Sequence, residues 1–221
     1  MNFSSIEAVL FDMDGTLVNS EPLSWRAIES ACVKRGVSPE KWDPASFHGV
    51  TWNAIAQTLS RELPEGGEPF SAAELQVEFH RLHRVEPPPL IEGAHAALLS
   101  ARKSGRTAIC TSSQRQSLES LLHRLKMLDL LPASVSAEDC TRSKPDPQGY
   151  RLAADRLEVS PSRCLVFEDS LAGVQAARSA GMSVVAIVGP NGYGSPVARE
   201  ADGAIADDSE HPEDFFFRLS G

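Results

Sequence analysis

Short apolar runs punctuate the chain, and most are followed by a stretch in which apolar residues recur every three or four positions. Ala8-Val9-Leu10-Phe11 is the first run, and it ends in Asp12. RTAICTSS (106–113) precedes RQSLESLLHRLKML, whose Leu118, Leu121, Leu122 and Leu125 keep the i, i+3, i+4, i+7 spacing of one helix face. Ser113 and Gln116 have the spacing of a capping box at the start of that helix. ASVSAED (133–139) reads as a further strand and leads into DPQGYRLAADRLEV, with Asp146 as N-cap and Pro147 at the first helical position. RCLVFED (163–169) leads into SLAGVQAARSAG, with Gly181 as the C-terminal stop. SVVAIV (183–188) and a short GAIA (203–206) complete the strands, and PNGYG (190–194) reads as a glycine-rich loop between them. Apolar strands alternating with helices predict an α/β fold, a parallel sheet covered by helices on both faces. In such sheets ligands bind at the carboxyl ends of the strands, where the strand order reverses.

One stretch breaks the alternation. From residue 18 to about residue 86 the pattern is helical: PLSWRAIESACVKRG, TWNAIAQTLSREL, and SAAELQVEFHRLHRVE with Ser71 and Glu74 spaced as a second capping box. It ends in three prolines, 87–89, a stiff segment. The expected division is therefore a core of residues 1–17 and 90–221 with a small α-helical domain, 18–89, inserted after the first strand.

Composition narrows the partners. The 221 residues carry a net charge of −9, which argues against a nucleic acid or an anionic membrane surface. An acidic protein that binds phosphate must supply positive charge locally. The N-terminal MNFSSIEAVLF has no basic region followed by a long apolar stretch, so no signal peptide or membrane span is expected, and a cytoplasmic protein is. Cys32, Cys110, Cys140 and Cys164 are far apart with no CxxC pair and read as reduced, mostly buried thiols. His80 and His83 are helix neighbours without an acid or third histidine to complete a metal set, and read as part of a solvated face.

The polar clusters fall at the strand ends. Asp12 and Asp14 in FDMDGTLVNSE face the same way while the backbone stays extended, and two adjacent carboxylates repel unless a cation intervenes. An oxygen-rich site of this kind suits Mg2+, and Glu168-Asp169 at another strand end offers further ligands. Gly15 allows a sharp turn just past the pair. Lys144, in SKPDP, adds a cation, and Thr111-Ser112-Ser113 adds hydroxyls and N–H groups at a helix start, a seat for an anion. Metal, lysine, hydroxyl and helix terminus together describe a phosphate site with a carboxylate facing phosphorus.

These four motifs, FDMDGTLVNSE (11–21), ICTSS (109–113), KPDP (144–147) and VFEDSLAGVQAARSAG (166–181), make the chain resemble the haloacid dehalogenase-like superfamily along essentially its whole length. The resemblance implies a Rossmann-like core, an α-helical cap, and Mg2+-dependent phosphoryl transfer through an aspartyl-phosphate. It implies Asp12 as nucleophile and metal ligand, and Asp14 as general acid/base with its carbonyl on the metal. Thr111 would hold the transferring phosphate, Lys144 would neutralise charge, and Asp169 with Glu168 would complete the metal site. The second aspartate, Asp14, argues against a true dehalogenase. The motifs are similar to those of β-phosphoglucomutases, phosphoglycolate phosphatases and small sugar or polyol phosphatases. Mutases of this group carry a histidine in the first cap helix and an arginine just after the cap glycine, where this chain has Ser24 and, after Gly49, Val50-Thr51-Trp52. The expected activity is hydrolysis of a small phosphorylated metabolite by a monomer or weak dimer, with a hexose-phosphate mutase or a non-catalytic phosphate-binding protein as alternatives. His48, Trp52 and Asn53 are the expected substrate contacts of the cap, and Trp52 is equally suited to the core of a helical bundle.

Overall fold

The computed structural model describes residues 5–47, 50–188 and 195–206. The chain divides into two compact units, Met1–Asn19 with Pro89–Gly221, and Ser20–Pro88. Among the described residues the first unit holds five strands: β1 (Ala8–Phe11), β2 (Arg106–Ile109), β3 (Cys164–Glu168), β4 (Ser183–Val188) and β5 (Gly203–Ala206). They form one parallel sheet in the order β2-β1-β3-β4-β5. From β1 the chain crosses to β2 on one side and then to β3 on the other, so the order reverses at β1.

Alternation along the strands sends side chains to two separate cores. Val9, Phe11, Ile109, Leu165, Phe167 and Val185 pack with the helices α4 (Ala94–Ser104) and α5 (Arg115–Leu125). Ala8, Leu10, Ala108, Cys110, Val166 and Val184 pack with α6 (Gln148–Leu157) and α7 (Leu171–Ala180). Phe11 pairs in register with Phe167, and their rings stack with centroids 5.2 Å apart. A short α8 (Pro196–Glu200) precedes β5.

Local chemistry departs from the sequence expectation at three places in this unit. The strand expected over 133–139 is reduced to one parallel bridge, Val135 to Cys110, followed by a 3-10 turn at Ala137–Asp139. Asp139 accepts from the Ser136 N–H (2.8 Å) and the Ser136 hydroxyl (3.1 Å), a side-chain alternative to the ladder. Ser113 does not cap α5. Gln114 is the N-cap residue, and Glu138 accepts the Arg115 N–H at 2.8 Å. Helix α6 begins one residue late, at Gln148 with Pro147 in the cap position, although the Asp146 carboxylate still accepts the Gln148 N–H (3.0 Å). Gly181 ends α7 in the left-handed region, with φ 87°.

The second unit is helical: α1 (Glu21–Lys34), α2 (Trp52–Ser60) and α3 (Ala72–Val85), with 3-10 turns at Pro39–Lys41 and Pro44–Phe47. Ile28, Cys32, Phe47, Ile55, Leu59, Phe70 and Leu75 make its main core. Ser71 caps α3 by accepting the Glu74 N–H (3.2 Å), while the Glu74 carboxylate pairs with Arg35 instead of closing a box. His83 is buried, 4% exposed, with its ring edge-on to Phe79 at 5.9 Å. The solvated face expected for it is corrected by that packing: the α3 stripe of Leu75, Phe79 and Leu82 is wide enough to take in its neighbour. All four cysteines are free, and Cys32, Cys110 and Cys164 are buried. Among the described residues no helix is long and apolar enough to cross a membrane.

Candidate active site

Asp12 follows directly on β1, and its N–H still bonds to Phe167 of β3 (2.9 Å). The backbone then turns back at Gly15 (φ 88°), whose N–H reaches the Val18 carbonyl at 2.8 Å. A Cβ on Gly15 would stand 2.0 Å from Asp169 Oδ2, so the Asp169 carboxylate is seated against bare backbone. Thr16 donates its hydroxyl to the other oxygen, Asp169 Oδ1, at 3.0 Å. Glu168 is the last residue of β3 and is fully buried. Asp12, Glu168 and Asp169 each present a carboxylate oxygen within 4.8 Å of the others.

Lys144 enters this cluster from the loop before α6, where the Lys144–Pro145 peptide is cis. Its Nζ donates to Asp12 Oδ1 (2.5 Å), Glu168 Oε1 (2.5 Å) and the Cys110 carbonyl (3.1 Å). The three protons of the ammonium are thus all assigned. Asp14 stands apart from the cluster: Ser113 donates its hydroxyl to Asp14 Oδ2 at 2.6 Å. The Thr111 hydroxyl accepts the Ser113 N–H (2.9 Å), while the Thr111 N–H donates to Val135 (3.0 Å). The hydroxyl expected to cap a helix therefore holds an acid from the first motif. Ser112 between them is exposed.

Electrostatics set this site apart. Burial pushes the Asp12 carboxyl up to about 8, and Glu168 and Asp14 add to the effect against the opposing pull of Lys144. Burial raises Asp169 well above the carboxylate range, with Glu168 and Asp12 adding to it. Burial would lower Lys144, but Asp12 and Glu168 outweigh it and hold the ammonium well above its ordinary value. Burial drives the two acids up, and the acids around it hold the lysine up, in a place largely closed to water. Once all three carboxylates are ionised, they leave an excess of two negative charges over the one ammonium, which one divalent cation would neutralise. The donor set is all oxygen and includes the carboxylate lodged over Gly15. These residues therefore fit a hard divalent ion such as Mg2+.

Four residues escaped the sequence reading. Tyr150, buried in α6, donates its hydroxyl to Glu168 Oε1 at 2.9 Å. Ser170 gives Glu168 Oε2 both its N–H and its hydroxyl, each at 3.0 Å. Gly173 leaves room for that carboxylate, since a Cβ there would come within 1.7 Å of Oε1. Thr16 orients Asp169. Thr16 and Ser170 each lie within two residues of a named acid, which is a signal the sequence does offer. Tyr150 and Gly173 carry none, because each lies inside an ordinary helical pattern.

The cap candidates lie in the helical unit. Trp52 is the first residue of α2, its ring 5.5 Å from that of Phe79 in a cluster with Leu23, Ala27 and Leu82. Asn53 beside it is exposed. His48, like the PNGYG loop, lies outside the described residues.

The family profile of the haloacid dehalogenase-like hydrolases matches residues 6–181, and the chain belongs to that family. It is 33% identical over 181 residues to fructose-1-phosphate phosphatase YqaB of Escherichia coli K12, covering 80% of this chain and 94% of that protein. It is 31% identical over 209 residues to validoxylamine A 7'-phosphate phosphatase of Streptomyces hygroscopicus subsp. limoneus, covering 92% and 95%. A HAD family hydrolase of Deinococcus radiodurans R1, solved with bound phosphate and sodium, superposes with a TM-score of 0.70 at 25% identity, covering 95% and 93%.

Proposed function

We propose that this protein is a Mg2+-dependent phosphatase of small phosphorylated metabolites, a sugar, polyol or glycolate phosphate, working through an aspartyl-phosphate on Asp12. The observation that carries the reading is the gathering of Asp12, Glu168 and Asp169 oxygens within 4.8 Å of one another, with the Lys144 ammonium on Asp12 and Glu168, at the strand ends where the sheet order reverses. Named activities of the relatives, on fructose 1-phosphate and validoxylamine A 7'-phosphate, support a phosphorylated carbohydrate as the substrate class. Phosphate and sodium in the Deinococcus structure support an anion-plus-cation site on this fold.

Asp12, Asp169 and the Asp14 carbonyl would hold Mg2+, with Glu168 at its border. When bound, the ion supplies charge neutralisation to Asp12 and to the phosphate oxygens. An Asp12 oxygen attacks phosphorus, the bond to the leaving oxygen breaks, and Asp14 gives that oxygen its proton. Asp14 then takes a proton from water as the water attacks phosphorus. The bond between phosphorus and the Asp12 oxygen breaks, free phosphate leaves, and the Asp12 carboxylate is restored. Lys144 holds Asp12 at the start and faces the charge spreading onto phosphate during transfer. Thr111, Ser112 and Ser113 offer hydroxyl and N–H donors to the phosphate, and Ser113 also sets the direction of Asp14.

The helical unit serves as the cap that selects the substrate, with His48, Trp52 and Asn53 as its contacts. Ser24 in α1 and Val50-Thr51-Trp52 after Gly49 supply no cation for a second phosphate, which favours hydrolysis of monophosphates over mutase chemistry. The enzyme acts as a cytoplasmic monomer or weak dimer. The test is a screen of phosphate release across sugar, polyol and glycolate monophosphates with Mg2+ and with EDTA. Release that needs Mg2+ and is silenced by chelator is expected. Isomer formation that depends on a bisphosphate would replace phosphatase by mutase, and no turnover of any monophosphate or aryl phosphate would end the enzymatic reading.

A further inference from the structure

We propose that Tyr150 is a positioning residue for phosphoryl transfer: through Glu168, its hydroxyl keeps the Lys144 ammonium on Asp12 and the phosphate. The inference rests on the reading of Asp12 and Lys144 given above. Glu168 Oε1 accepts from Tyr150 Oη (2.9 Å) and Lys144 Nζ (2.5 Å), and Oε2 accepts from the N–H and hydroxyl of Ser170. With Gly173 beneath it, the carboxylate has no freedom to follow the lysine. Four donors on two oxygens make Glu168 a clamp.

Tyr150 touches the lysine as well. Nζ lies over the Tyr150 ring, 4.9 Å from its centroid, while it donates to Asp12, Glu168 and the Cys110 carbonyl. The ring limits where the ammonium can go, and the hydroxyl limits how strongly Glu168 pulls on it. Because Oε1 is shared between two donors, its charge is divided. Remove the Tyr150 hydroxyl and Oε1 becomes the lysine's alone. The ammonium then shifts toward Glu168 and away from Asp12, where transfer needs it. Packing alone does not account for a hydroxyl here. A phenylalanine would fill the same space in the core, where Tyr150 is 1% exposed.

The decisive variant is Tyr150→Phe in the full chain, assayed with Mg2+ on an aryl phosphate and compared with wild type. A bond from a neutral donor to a charged acceptor predicts a kcat lowered about tenfold, with KM within about twofold. Affinity for aluminium fluoride with Mg2+, which mimics the phosphoryl group in flight, should fall by the same factor as kcat. Affinity for inorganic phosphate should stay within about twofold. Unchanged kcat and aluminium fluoride affinity in an active enzyme overturn this inference and leave the phosphatase reading standing. So does a loss of activity that follows only the unfolded fraction in a melting curve, which would give the hydroxyl to fold stability. An inactive wild type overturns both readings together.

Discussion

The acids of the helical unit and those at the sheet edge obey opposite rules. On α3, Glu78 accepts from Arg81 (2.9 Å) and from Ser30 (2.9 Å), and Glu74 is gripped by the Arg35 fork, which lies 4.6 Å over the Phe70 ring. Each acid there has a base of its own, and both carboxyls are held below their ordinary range, Glu78 at about 2. At the sheet edge Asp12 and Glu168 share one lysine, Asp169 stands beside them with the Thr16 hydroxyl, and burial pushes Asp12 up to about 8. Matched charge stabilises a fold. An unmatched excess, kept buried, destabilises it and finds its use in binding a cation and phosphate.

Removing charge should therefore act in opposite directions in the two regions. Asp12→Asn is expected to lower turnover by at least about 10³-fold, since the amide cannot attack phosphorus. Burial pushes the Asp12 carboxyl up to about 8, so above that pH the same change removes one buried negative charge and the metal-free protein should melt no lower than wild type. Turnover near wild type would take Asp12 out of the nucleophile role. Lys144→Met works the other way. It leaves the carboxylates without their cation and should cost about 3 kcal/mol of unfolding free energy in EDTA. Mg2+ should restore part of the loss, and denaturant melts with and without the ion measure it. Equal stability in both would contradict a cation site at this cluster.

Gly173→Ala drives a methyl group into the Glu168 carboxylate and should cost about 2 kcal/mol, most of it recovered by a second change, Glu168→Ala, that opens the space. Failure of the pair to show coupling would place Glu168 elsewhere. In the helical unit, the Glu78 carboxyl falls from 4.5 to about 2, chiefly through Arg81. A depressed acid adds stability that is fully present above its unfolded pKa and lost as pH falls through the folded one. The contribution is thus complete near pH 5 and gone near pH 2. Solvent screening holds it to about 1 kcal/mol. Glu78→Gln should flatten that part of the stability curve, and an unchanged slope between these pH values would show that the pair contributes nothing.

How much of this was legible varies from residue to residue. The strands at 8–11, 106–109, 164–168 and 183–188 were visible as apolar runs, because both faces of a parallel strand are buried and polar residues are excluded from both. The strand at 133–139 was not one, because Ser136 and Asp139 satisfy the backbone through their own side chains. Ser113 looked like a cap by spacing alone, yet its hydroxyl is taken by Asp14, 99 positions away.

The succession of strands and helices along the chain, the helical stretch after β1 and the kinds of side chain that end the strands can all be read without coordinates. Those properties follow from local periodicity and from the chemistry of neighbouring residues, which any chain carries with it. The folded chain is needed to see that Glu168 accepts from Lys144, that Tyr150 and Ser170 hold Glu168, that Thr16 turns Asp169, and that Gly15 and Gly173 make room for the acids. Partners as far as 153 positions apart meet through the crossing of β1 between β2 and β3, and pairings set by topology leave no mark on the spacing of residues along the chain.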